Sequence, residues 1–394
     1  MGSFNTGSTA GTATTSMAQG AASCSAGAQW FVSIQDGKQM LDNGVIRTVE
    51  GEDTLAIIEL NAGQANIRAE IAVPTSVIGP PTSVAVTPDG MLAIVTSGYK
   101  RDPADPTKTV ENDVVSVVDL QGQTPRIVNT VKVGKAPCGV SVSPDGKLAL
   151  VANHNDGTVS VLSINGNRVT AIDQVTVGDA KSGPMHAVFT PDGKRALVTR
   201  DGDHRVTLLA VDGEKVAATQ RHIFPGQRPD CIDVRPQGDL AVVANIGKGQ
   251  GDSDTLSLID LSVEPPRVVD TVSVGQTPEG VFFSPDGCHV GATVMNGSNK
   301  PKDSPFYNPN GKFVLLKVSG KKLLPVASAP IGTWSQGLAF SADGSTVLVQ
   351  NTAEQQIQVF RIGNEQLEDN GQRLQLKGVP VAMRLIHSDF RGKC

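Results

Sequence analysis

Aromatic side chains are scarce in this sequence: tryptophan, tyrosine and phenylalanine together make up 4% of its 394 residues. Its core must therefore be built from many small aliphatic and β-branched contacts. Long hydrophobic runs are missing too. Met91 to Val95 and Leu148 to Ala152 are among the longest, far below the roughly 18 residues that a membrane-spanning helix needs. There is no basic excess. The formal charge is −5 with both signs mixed along the chain, so no electrostatic footprint for nucleic acid is expected. The five cysteines, at 24, 138, 231, 288 and 394, contain no C-x-x-C pair, which argues against a zinc site of the usual spacing. No glycine-rich dinucleotide fingerprint follows a strand and opens a helix, so no redox cofactor is expected. Continuous helical periodicity is also absent, and 42 glycines and 24 prolines disfavour long helices.

What remains is a turn motif that recurs along the chain. It reads Thr87-Pro88-Asp89-Gly90, Ser143-Pro144-Asp145-Gly146, Thr190-Pro191-Asp192-Gly193, Arg235-Pro236-Gln237-Gly238, Ser284-Pro285-Asp286-Gly287 and Ser341-Ala342-Asp343-Gly344. Successive copies lie 45 to 57 residues apart. Proline presets φ for a tight turn and glycine accepts the positive φ that closes it. Short runs rich in Val, Ala, Leu and Ile flank each turn, and two more follow, as in Thr158 to Leu162 and Ile172 to Val177. Four short strands per repeat at this period predict an all-β, seven-bladed β-propeller.

Six turns make six blades, and the chain ends supply the seventh. Val379 to Ile386 matches an innermost strand with nothing after it. Trp30 to Ile34, Thr54 to Leu60 and Ile67 to Val73 are three strands without an innermost partner. Closure by three strands plus one removes the exposed sheet edges. The propeller is thus expected over 29–387, between a Gly/Ser/Thr/Ala-rich disordered tail at 1–28 and a short tail at 388–394. Closure brings the ends together, so a Cys24–Cys394 disulfide is geometrically open to the chain, as is a pair of free thiols. The first would suit a periplasmic or secreted protein and the second a cytoplasmic one. Oligomeric state is not legible.

The strand order fixes the faces. Residues seven before each turn Asp and eight after it should share one mouth of the central channel. The first ring reads Thr82, Cys138, Met185, Asp230, Glu279 and Gln336; the second reads Ser97, Asn153, Arg200, Asn245, Val294 and Asn351. Long connections at 36–53, 98–113, 246–254 and 296–311 emerge on the same side, the last carrying Phe306 and Tyr307. Grouped long loops on a rigid scaffold point to binding.

Candidate chemistry there includes His186, His154, Arg200, Arg205, Arg228, Asp230, Asp233 and Glu279. Asp230 and Glu279 occupy equivalent positions in adjacent blades, so their carboxyls are expected to face one another. Such a pair can share a proton or bind a divalent cation; it can equally be solvated or paired with Arg200 or Arg228. His186 suits either a structural hydrogen bond or catalysis, and Cys138 lacks a visible base. Asn153 and Asn245 suit either ligand contact or capping of strand ends.

The repeats resemble the YVTN propellers, on the match of Ala136 to Asn153 to their Pro-x-Gly-Val-x-Val-Ser-Pro-Asp-Gly unit and Val-Ala-Asn strand end. Residues 80 to 386 also resemble the seven-bladed lactonase family, which includes 6-phosphogluconolactonases and carboxymuconate lactonizing enzymes. Pro137 to Val142, Val151 to Gly157, and Gly183-Pro184-Met185-His186 followed by Gly202 to Val206 carry that likeness. The resemblance implies His186 as an acid–base group and Arg205 as an anion-binding group. The sequence departs from the family's pattern at Gly139, Arg200 and Asp230-Cys231.

Two functions are carried forward. The favoured one is a lactonase-like or lyase-like enzyme acting on a small oxygenated ligand. His186 or the Asp230/Glu279 pair would be the base. Arg200 and Arg205 would hold a carboxylate or oxyanion, and Asn153, His154, Asn245, Arg228 and Tyr307 would contact the ligand. The alternative is a non-catalytic exported propeller that binds a protein, glycan or surface partner through its long loops.

Overall fold

The computed structural model describes residues 27–122 and 124–386. Cys24, Cys394 and the two expected tails fall outside the described residues, apart from the last positions of the first tail. Seven four-stranded antiparallel sheets form the molecule, and among the described residues there is no helix. Six sheets use consecutive strands. The seventh, blade 1 here, runs Val379–Ile386, Gln29–Asp36, Thr54–Asn61, Gln64–Ala72 from the channel outward. Closure by three strands plus one is therefore the observed topology of this seven-bladed β-propeller. Blades 2 to 7 follow in chain order, with innermost strands Val84–Val86, Pro137–Val142, Pro184–Phe189, Pro229–Val234, Pro278–Phe283 and Leu338–Phe340.

The turn motif shows why the repeat folds as it does. The Ser or Thr hydroxyl donates to the turn aspartate, at 2.6 Å for Ser143 and Asp145. The same Asp145 oxygen accepts the main-chain N–H of Lys147 at 3.1 Å, and the Ser143 hydroxyl also accepts the N–H of Leu148 at 2.9 Å. Gly146 sits at φ 71°, where an L side chain is strained. The N–H groups of Gly146, Lys147 and Leu148 are thus engaged before the second strand begins. Blade 5 carries Arg235 and Gln237 in place of Ser/Thr and Asp. There the arginine ties the turn to Asp239 at 3.1 Å and to the Gly287 carbonyl of blade 6 at 2.9 Å.

The core lies between blades. Val, Leu, Ile and Ala from facing sheets pack in clusters that each join neighbouring blades, such as Leu240, Val242 and Leu258 of blade 5 against Val281, Ala292 and Leu316 of blade 6. Stacking of this kind buries both faces of every sheet, and no single blade could do so alone. The seam between blades 7 and 1 adds polar stitches. Gln372 exchanges two bonds with the Ala65 main chain at 2.8 and 2.6 Å, and Gln350 reaches Ser33 at 2.9 Å and the Ala382 carbonyl at 3.1 Å.

Two of the long connections are more regular than loops. Residues 36–53 contain a hairpin, Gln39–Asp42 paired with Val45–Thr48. In 98–113 the second and third strands of blade 2 simply extend, to Arg101 and from Thr109. The hairpin base is held by Lys38, which is buried beside Asp36 at 3.2 Å and Asp53 at 3.0 Å. Its far end meets the 296–311 loop of blade 6, where Asn43 accepts the N–H of Lys302 at 2.9 Å. Met40 and Leu41 pack with the cluster that holds Met295 and Trp334. The hairpin therefore reaches from blade 1 past blade 7 to blade 6, beside the channel mouth.

Candidate active site

A cavity of about 330 Å³ opens at this mouth. Of the first ring read from the repeats, Cys138, Met185, Asp230, Glu279 and Gln336 line it, and Thr82 does not. A β-bulge in the innermost strands explains their orientation. Pairing with the second strand skips between Pro137 and Val140, Pro184 and His186, Pro229 and Ile232, and Pro278 and Val281. The unpaired residues in these bulges include Cys138, Met185, Asp230 and Glu279. A bulge re-aims side chains that regular alternation would send elsewhere. The Asp230 bulge is pinned from the previous blade by Thr199, whose hydroxyl donates to the Asp230 carbonyl at 2.6 Å.

Asp230 and Glu279 are only 2% and 8% exposed. Burial, with the neighbouring Glu279 and Asp201 charges adding to it, raises the Asp230 carboxyl well above its usual range. Burial likewise pushes Glu279 up to about 8, against a smaller opposing pull from Arg228. The pair therefore binds protons more tightly than ordinary carboxyls do. Asp230 Oδ1 and Glu279 Oε2 are buried and make no hydrogen bond with any of the described residues. Buried polar atoms of this kind are rare unless something else satisfies them.

One wall is a charged triad that the sequence reading missed in part. Asp201 accepts from Arg228 at 3.3 and 3.0 Å and contacts His154 Nε2 at 3.3 Å. The hydrogen bond to Asp201 holds the His154 imidazole above its usual range, outweighing its burial. Burial pushes Asp201 up, but the bonds to His154 and Arg228 prevail and keep it below the usual carboxylate range. Arg228 adopts φ 53° just before Pro229, and its N–H donates to His204 Nδ1 at 3.2 Å. The other walls are apolar: Ile46 of the hairpin, Val77, Ile78, Tyr99, Ile246 and Trp334. Asp201 follows Arg200 at a strand end, a position that the ring count did not reach. Only the pairing of blades 3, 4 and 5 brings it between His154 and Arg228.

The remaining sequence candidates lie elsewhere. His186 is buried among the innermost strands, and burial, with Arg384 nearby, pushes its imidazole down to about 3. Arg200 is buried between blades on the Val177 carbonyl, Thr207 and Asp203. Arg205 stacks over Phe224, 5.3 Å from the ring centre. Asn153 donates to Thr158 and Ser160 at 3.0 and 2.9 Å. Asn245 does the same to Thr255 and Ser257 at 3.1 and 3.0 Å; both bind third-strand hydroxyls. Tyr307 stays within the 296–311 loop, its N–H on Ser304. Asp233 accepts the N–H of Phe283 at 2.8 Å deeper in the channel. None of these lines the mouth cavity. Among the described residues, no cluster of three or more His, Cys, Asp or Glu is disposed to hold a metal ion. Cys138, Cys231 and Cys288 are free thiols, and among the described residues no helix is long and apolar enough to cross a membrane.

The fold is that of a seven-bladed β-propeller with a cavity at one mouth of its channel, and comparison with solved structures agrees on the fold. The periplasmic gluconolactonase of Pseudomonas aeruginosa superposes with a TM-score of 0.68 at 17% identity, over 91% of this chain and 99% of that one. A candidate 6-phosphogluconolactonase from Bacteroides uniformis gives 0.69 at 19% identity, over 91% and 99%. Hydrazine synthase of Kuenenia stuttgartiensis gives 0.57 at 20% identity, over 73% and 78%. Likeness at this level concerns fold alone, and these proteins carry different chemistries on it. No protein-family model and no curated protein sequence matches the chain.

Proposed function

We propose that the chain hydrolyses a small lactone in the mouth cavity, with Asp230 and Glu279 as the acid–base pair. The observation that carries this reading is the pair itself: two buried carboxyls from adjacent bulges, both with raised proton affinity, each with an oxygen free of partners among the described residues. The ionised member takes a proton from a water as its oxygen attacks the lactone carbonyl. The protonated member donates to the carbonyl oxygen as charge develops there. Collapse re-forms the C=O and returns its proton to the pair as the ring C–O bond breaks, the departing alkoxide takes a proton from the pair, and one water has been added to give a hydroxy acid. Carboxyls held above their usual range suit both halves of such a cycle.

A pH-stat screen of sugar and aromatic lactones, with and without Ca²⁺ or Mg²⁺, tests this reading. Acid release that disappears in both Asp230→Asn and Glu279→Gln supports it, and dependence on the cation would add a metal to the pair. Release that persists in both variants would remove the pair from the chemistry. No release from any lactone would leave isomerase or lyase chemistry, or the binding scaffold. The exposed Val45, Ile46 and Phe306 on the hairpin and the 296–311 loop favour the last of these. An exported location rests on the same reading and would be checked by fractionating cells that express the full chain.

A further inference from the structure

The cavity carries few free positive charges. Among the described residues, Arg228 is its one arginine and no lysine lines it. The guanidinium already makes two bonds to Asp201, and a third N–H reaches the Gly247 carbonyl at 3.4 Å. The only other basic side chain in the lining, His154, is committed at both nitrogens, to Asp201 at 3.3 Å and Asn155 at 2.6 Å. Beneath them lie the Asp230 and Glu279 carboxyls, with buried oxygens that a ligand would have to satisfy. A phosphate dianion is usually held by two or more unpaired cationic or N–H donors. Here it would meet cations already neutralised and three carboxyls close by. An uncharged polyhydroxy ring meets better partners: its hydroxyls can pair with the carboxyl oxygens, and its faces can lie against Tyr99 and Trp334.

Resting on the proposed lactonase reading, we infer that this site selects an uncharged, unphosphorylated sugar lactone and rejects its phosphorylated counterpart, with Asp201 as the specificity-determining residue. Asp201 acts by occupying Arg228. Hydrolysis then turns a neutral substrate into a carboxylate beside the pair, and like-charge repulsion speeds product release.

The test compares kcat/KM for glucono-1,5-lactone and its 6-phosphate on the intact chain, corrected for spontaneous opening. The expected preference for the neutral lactone is roughly 100-fold or more, the scale of an unfavourable like-charge contact. Asp201→Asn, which frees Arg228, should narrow that preference about tenfold. A wild-type preference for the phosphorylated lactone overturns the inference while leaving the lactonase reading intact. Absence of hydrolysis with either substrate overturns the lactonase reading. Selectivity is then read by calorimetric titration with gluconolactam and its 6-phosphate: tighter binding of the neutral lactam supports the inference. Tighter binding of the phosphate, or binding of neither, overturns it. An Asp201→Asn variant that leaves the wild-type ratio unchanged removes Asp201 from the assignment.

Discussion

Thr199 of blade 4 donates its hydroxyl to the main-chain carbonyl of Asp230 in blade 5, at 2.6 Å, and accepts the N–H of His186 at 3.1 Å. One hydroxyl thus holds the bulge that aims Asp230 into the mouth. Thr199→Val keeps the shape and leaves a buried carbonyl and a buried N–H unpaired. Stability should fall by about 1–3 kcal/mol, and lactone turnover should fall with it as the bulge slackens. Thr199→Ser should keep both near wild type. Urea denaturation and kcat, measured on the same preparations, check this.

The carboxyl pair predicts a pH signature. Glu279 titrates near 8 in the fold against 4.5 ordinarily, so the folded state binds the proton more tightly than the unfolded chain does. That contribution to stability is fully present below about pH 4.5 and is lost as pH rises through about 8. Glu279→Gln removes the titration. Between pH 5 and 9 the wild type should therefore lose stability relative to the variant, by up to a few kcal/mol at about 1.4 kcal/mol per unit. Turnover should rise towards about pH 8, where Glu279 becomes the ionised member of the pair while Asp230 keeps its proton. Equal pH slopes for the two proteins in urea titrations would contradict the assignment.

Lys38 predicts the fate of the hairpin. It is buried with Asp36 and Asp53 and also donates to the Thr75 carbonyl. Burial raises the Asp36 carboxyl even with Lys38 present. Lys38→Met strands two carboxylates, and breaking such a pair costs about 3–5 kcal/mol. The expected result is a lower Tm and early proteolysis within 36–53, read by limited trypsin digestion and mass spectrometry.

Gly139 predicts a packing limit. A Cβ there would lie 2.5 Å from the Thr82 hydroxyl, 2.7 Å from the Met185 carbonyl and 2.8 Å from the His186 Cα. The innermost strands of blades 2, 3 and 4 crowd at this point, so Gly139→Ala should destabilise by about 1–3 kcal/mol through overpacking. Thermal melts check it; a neutral variant would mean that the strands part readily.

The blades could be read from the chain because their determinants are local. Each Ser/Thr-Pro-Asp-Gly turn closes on its own atoms, and strand alternation needs only near neighbours, so six turns and two orphan ends were enough to count seven blades and place the seam. The same regularity identified the ring that holds Cys138, Met185, Asp230, Glu279 and Gln336, because equal positions in equal repeats reach equal places. Its limit shows in the second ring. Asn153, Arg200 and Asn245 share a register position, yet their side chains turn to the third strand or between blades, where hydroxyls and a carbonyl receive them. Asp201, Tyr99 and Trp334 belong to no repeat position, and only the stacking of blades and the reach of the connections bring them to the mouth. The proton affinities of Asp230 and Glu279 are likewise a matter of tertiary structure, because burial sets them, and burial is a property of the closed ring and not of any one repeat.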